Sequence, residues 1–170
     1  LIHKTFKGIA QRGKCSMGWF FGFKLHLICN EQGELLNFMI TPGDVDDRRP
    51  LEYKAFVEFI YGKLVGDRGY ISKNLFERLF IDGIQLITKL KSNMKGALMS
   101  VSDKLLLRKR AIIETINDEL KNIAQVEHSR HRCFDNFIVN MLGALAAYCC
   151  FPKKPCINIE RTIDTQLKLF

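Results

Sequence analysis

The sequence predicts a mixed α/β fold, a sheet with helices on its faces. Three observations carry that prediction. An antiparallel hairpin pattern stands near the start, apolar spacing then changes from two to three and four after an acid-rich turn, and short apolar strands alternate with helical stretches through the middle of the chain. No internal repeat, low-complexity tract or interdomain linker interrupts the pattern.

Residues 1–18 hold Lys4, Lys7, Arg12 and Lys14 with Gly8, Gly13 and Gly18 and no acid, and read as a basic arm, flexible or forming an irregular edge. Phe21, Phe23, Leu25, Leu27 and Cys29 then alternate, the turn NEQG follows, and ELLNFMITPG completes a hairpin. From Asp46 or Asp47 onward, Leu51, Ala55, Phe56, Phe59 and Ile60 predict a helix of roughly three to four turns, with Pro50 harmless in its first turn. KLVGDRGY predicts a short strand ending at Gly66 and Asp67, and Ser72 is placed to cap a helix carrying Leu75, Phe76, Leu79 and Phe80. GIQLITKL predicts another strand, and a basic segment with Lys89, Lys91 and Lys95 follows. Ser100 and Asp103 mark the start of one helix running to about residue 125. A last helix over about 134–150 stops before Pro152 and Pro155. The expected organisation is a basic arm at 1–18, one domain at 19–151 and a tail at 152–170.

A chain of 170 residues, 47% hydrophobic and 26% charged, has the size and composition of one globular domain. Its 26 Lys and Arg against 18 Asp and Glu give a net charge of +8, which points to phosphate-rich partners, nucleic acid ahead of an anionic membrane surface. Six cysteines without a C-x-x-C pair argue against a disulfide framework or zinc ribbon and read as reduced, mostly buried thiols. The apolar run at 134–151 is broken by Asp135, Asn136 and Asn140, too short and too polar for a spanning helix.

Asp67 stands where a buried strand ends, the place where α/β sheets collect ligands and catalytic groups. It reads either as a metal-binding carboxylate or as a turn residue bonding nearby amides, and local pattern alone favours the turn. On a continuous helix Arg110, Glu114, Asn117 and Lys121 share one stripe, with Ile112, Ile113, Ile116, Leu120 and Ile123 largely opposite. The plain reading is a solvated face with salt bridges. Two features oppose it: Lys104, Arg108, Lys109 and Arg110 fall in the first two predicted turns, where the macrodipole disfavours cations, and Glu114 stands four residues before Asp118. The functional reading has these cations hold phosphates while Glu114 holds a divalent ion. His128, His131 and Cys133 lack a fourth ligand at a metal-site spacing and read as a basic loop. His26 and Trp19 read as core strand side chains, with base stacking by exposed aromatics of GWFFGF as the second reading.

GWFFGFKLHLICNEQGELLNFMITPGDVDDRRPLE, then LVGDRGYIS, then Arg110, Glu114 and Lys121 together resemble the catalytic domain of bacterial insertion-sequence DDE transposases, over about residues 3–155. In that family the last acid lies in a helix signature of Tyr, two residues, Arg, three residues, Glu, six residues, Lys. Arg110, Glu114 and Lys121 fit it, and Leu107 stands at the Tyr position. The resemblance implies an RNase H-like fold, Asp67 as the second catalytic acid and Glu114 as the third. It implies Mg²⁺ (or Mn²⁺) on Asp67 and Glu114, and DNA phosphate contacts from Arg110, Lys121, Lys104, Arg108 and Lys109. The implied chemistry is strand cleavage and strand transfer, in which water and then a DNA 3′-hydroxyl attacks a phosphodiester at a two-metal site. The implied partners are transposon-end and target DNA, with a homodimer on DNA and no membrane, in the nucleoid of the bacterial cytoplasm. The family's first acid lies on a strand upstream of FKGIAQRGK, and no acid precedes Glu31. The expectation is therefore a fragment without its first strand, first Asp and N-terminal recognition segment, inactive alone. Two other readings stand beside it: a non-catalytic basic nucleic-acid-binding remnant, and an RNase H-like nuclease that cuts without joining.

Overall fold

The computed structural model describes residues 5–15, 18–89, 99–126 and 131–157. Strands β1 (Gln11–Cys15), β2 (Gly18–Cys29) and β3 (Leu35–Pro42) form an antiparallel sheet. A 3₁₀ turn (Arg49–Glu52) and a one-turn helix α1 (Lys54–Val57) lead to β4 (Gly62–Gly66). After a second 3₁₀ turn (Arg68–Tyr70) come α2 (Lys73–Ile81) and β5 (Ile84–Thr88), which pairs parallel with β4. Helices α3 (Val101–Lys109), α4 (Ile112–Asn122) and α5 (Phe134–Cys149) complete the chain. The fold is mixed α/β, with antiparallel and parallel strands flanked by helices, as in an RNase H-like architecture. No helix of the described residues is long and apolar enough to cross a membrane.

Alternation of side chains along β2 divides the interior into two layers. Leu25, Leu27 and Cys29, with Leu35 and Ile40 of β3, pack onto Ile116, Leu120, Met141, Leu145 and Tyr148 of α4 and α5. Ile28 and Met39 face the other way, into a cluster built by Leu51, Phe56, Val57, Leu75, Leu79, Ile84 and Leu86. The buried Tyr148 hydroxyl donates to the Gly33 carbonyl at 2.6 Å and ties α5 to the β2–β3 turn. Gly33 has φ +74°, and the Pro155 carbonyl lies where a Cβ would project, so a side chain there is excluded twice.

Several expectations change. Part of the expected arm, Gln11–Cys15, is a regular strand paired with residues 18–22 of β2. The helix expected after Asp47 breaks at Tyr53, whose backbone is extended at φ −86°, ψ 120°. On an unbroken helix Leu51 and Phe56 would sit about 140° apart; the break turns both into the same core. The helix expected from Ser100 to about residue 125 is likewise two helices, α3 and α4. Leu107 and Ile116 would lie about 180° apart on one continuous helix, yet both are buried, because α3 packs on β4 and β5 while α4 packs on α5. On the helix that carries all four residues, Leu75 and Leu79 are buried while Phe76 and Phe80 stack on each other at the surface. The thiols are free, but apart from the half-buried Cys29 they are exposed rather than buried. Lys91, Lys95 and His128 lie outside the described residues.

Candidate active site

Strand β4 delivers Asp67 to its carboxyl end. Asp67 caps the following 3₁₀ turn, and its Oδ1 accepts the Arg68 backbone N–H at 2.6 Å. The turn reading and the site reading thus meet in one residue, since the bond that closes the turn also fixes where the carboxylate stands.

Helix α3 is aimed by its N-terminus. Ser100 Oγ accepts the Asp103 N–H at 3.1 Å, and Asp103 receives Lys63 Nζ of β4 at 2.7 Å. The Lys63 bond, then the Ser100 bond, holds the Asp103 carboxyl below its ordinary pKa. With its start pinned to β4, α3 brings Arg110 beside Asp67. Arg110 continues in right-handed helical geometry at φ −59°, ψ −17°, so Glu114 follows one turn later on the same face.

The two acids meet on this guanidinium. Arg110 Nη1 lies 3.5 Å from Asp67 Oδ1 and Nη2 lies 3.8 Å from Glu114 Oε1. Both carboxylates are open to solvent, at 60% and 64% side-chain exposure, while Arg110 is at 28%. These separations are too long for strong hydrogen bonds and contribute at most about 1 kcal/mol each. Their importance is geometric: one cation offsets the repulsion between acids from different elements. Exposed carboxylate oxygens are hard donors of the kind that Mg²⁺ and Mn²⁺ accept. Among the described residues no group of three or more His, Cys, Asp or Glu is arranged around a common centre for a metal.

Lys104 and Arg108 are exposed on α3, Lys109 is half-buried, and Lys121 is exposed in the last turn of α4. The break between the helices overturns one sequence argument. Arg108 and Lys109 stand in the last turn of α3, and Glu114 in the first turn of α4, positions that the macrodipole favours. Helix stability accounts for those three charges.

A second acidic element, which the sequence predicts only as a helix start, approaches the same place. Asp46 receives Arg48 through Nε at 2.8 Å and Nη2 at 2.6 Å, which holds its carboxyl well below the usual range. Asp47 receives Lys24 Nζ at 2.8 Å. Burial raises the Tyr70 phenol pKa, and Asp47, Asp67 and Asp46 raise it further, so all three acids share the field around that ring. The signal was the acid-rich stretch GDVDD leaving the end of a strand. His26, on the same face of β2 as Lys24, is buried and lies with Nε2 2.8 Å from Thr41 Oγ1. Trp19 departs from its core assignment, being 75% exposed.

The family model described as Transposase DDE domain matches residues 1–134. No curated protein and no solved structure matches the chain.

Proposed function

The chain belongs to the transposase DDE domain family, and on that premise we propose that the Asp67–Glu114 site serves Mg²⁺- or Mn²⁺-dependent cleavage and strand transfer of DNA. The observation that carries the reading is the single Arg110 guanidinium set between two exposed carboxylates, one at the end of β4 and one at the start of α4. Asp67 and Glu114 would hold the ion, which supplies Lewis-acid stabilisation of phosphodiester oxygens when bound. Arg110 holds the acids together without metal and is within reach of a phosphate drawn to the same place. Lys104, Arg108, Lys109 and Lys121 contribute phosphate contacts that orient the strand. The substrate is the end of an insertion sequence and its target DNA, engaged by a homodimer in the bacterial nucleoid.

A second reading, DNA binding without catalysis, is favoured by one observation. Residues 1–30 contain no Asp or Glu, so they offer no further carboxylate to this pair. The two readings separate in one set of measurements on the chain, Asp67→Asn and Glu114→Gln: Mn²⁺ binding followed through the EPR signal of the free ion, and Mg²⁺-dependent nicking and joining of duplex DNA. The catalytic reading expects Mn²⁺ affinity to fall about tenfold or more in either variant, on the scale of losing one ligand. Equal Mn²⁺ affinity in all three proteins removes the pair from any metal site, and metal-independent DNA binding without nicking then leaves the second reading.

A further inference from the structure

β1 and the first half of β2 form a ladder whose two faces differ. On one face the Phe20 ring lies over Gly13 and Gly43, and a Cβ on Gly13 would run into the Gly43 carbonyl. A Cβ on Gly43 would stand 2.7 Å from the Gln11 carbonyl oxygen. Glycine at both positions lets ring and backbone close together, which fixes the ladder against the end of β3. Cross-strand partners share a face. The opposite face therefore carries Arg12 beside Phe21 and Lys14 beside Trp19. Lys14 Nζ lies 5.9 Å from the Trp19 ring centroid. Arg12 and Lys14 are exposed, Phe21 is half-buried, and Trp19 shows 75% of its surface to solvent. Packing does not explain a tryptophan held outward on an anchored ladder.

We propose that this face binds unpaired bases of a DNA strand, Trp19 stacking on a base while Arg12 and Lys14 take the neighbouring phosphates. The proposal rests on the DNA reading above and adds the form of DNA recognised. Charge complementarity selects the partner, because the side chains exposed beside the ring on this face are the cations Arg12 and Lys14. The aromatic selects the form: every base has a π-face, but a duplex hides its faces in the stack, whereas an unpaired strand presents them to a side chain of this kind. A cation beside the ring favours the arrangement further, since it draws the strand to the place where stacking occurs.

The chain has one tryptophan, so its emission reports on Trp19 alone. The full chain is titrated with oligo-dT and with a blunt duplex, with Trp19 emission and the anisotropy of labelled DNA followed together, and then with phosphatidylserine vesicles. Oligo-dT is expected to quench Trp19, and Trp19→Ala to weaken oligo-dT binding about tenfold or more while leaving duplex affinity unchanged. Trp19→Phe, which keeps a stacking face, should retain most of the oligo-dT affinity, and Arg12→Gln with Lys14→Gln should weaken both DNAs. Binding by anisotropy with unaltered Trp19 emission and an unaffected Trp19→Ala would overturn the proposal and leave the DNA reading standing. A Trp19 response to vesicles but not to oligo-dT would assign the face to lipid and overturn it as well, and absence of any DNA binding would overturn both.

Discussion

His26 shows how a single residue couples the sheet interior to acidity. Its ring is buried against Thr41, and burial disfavours the imidazolium, with Asp47 opposing and Lys24 reinforcing that effect, so its folded-state pKa falls below the ordinary 6.5. As pH falls, the unfolded chain takes up this proton first. Stability is therefore full above about pH 6.5 and is lost as pH drops through the lowered folded value. Denaturant unfolding between about pH 7.5 and about pH 5.5 should show this decline, and His26→Gln should flatten it. Equal slopes in the two proteins would mean that His26 does not carry the effect. Residue identity alone conveyed less than this. Spacing puts Arg110 and Glu114 on one stripe, while Asp67 enters as a candidate acid through the resemblance; Trp19 and the thiols read as core because hydrophobicity says what a side chain prefers and not what space the backbone leaves for it.

At the scale of elements, local signals were readable where a few neighbouring residues decide the outcome. The β2–β3 hairpin, the strands β4 and β5, and the Ser72 and Ser100 caps all stand where pattern and capping chemistry put them. The two helix breaks were not readable. Periodicity counts apolar residues on one face and does not reveal that α3 packs on β4 and β5 while α4 packs on α5. The resemblance, and not local pattern, pairs Asp67 with Glu114; in the structure both lie by Arg110, an arrangement that depends on Lys63 and Asp103 joining β4 to the start of α3. The separate packing of α3 and α4 can be measured. Leu107→Ala and Ile116→Ala should each destabilise by about 2–5 kcal/mol, and the double variant should lose nearly the sum, because the sites pack on different partners. Ile123→Ala, at 62% exposure, should stay within about 0.5 kcal/mol of the parent. Strong coupling between Leu107 and Ile116 would contradict separate packing of the two helices.

For the whole molecule, the net charge of +8 sets how it meets DNA. The exposed cations Lys104, Arg108 and Lys121 stand on the α3–α4 unit that also carries Glu114, and Arg12 and Lys14 stand on the β1–β2 ladder, so exposed positive charge is carried by both units. Each phosphate neutralised by such a cation releases condensed counterions, and the slope of log affinity against log salt should fall by about 0.9 for each contact on duplex DNA. Arg108→Gln or Lys104→Gln should make that slope shallower by about one unit each, because each removes one of the proposed phosphate contacts. Asp67→Asn and Glu114→Gln act in the other direction: they remove negative charge beside the bound strand, so duplex affinity in the absence of metal should hold or rise, with the slope unchanged. Trp19→Ala should also leave the slope unchanged, since stacking displaces no counterions. Fluorescence anisotropy of a labelled duplex over a series of salt concentrations measures all of these slopes, and an affinity that stays flat from low to moderate salt would refute phosphate contact as the basis of binding.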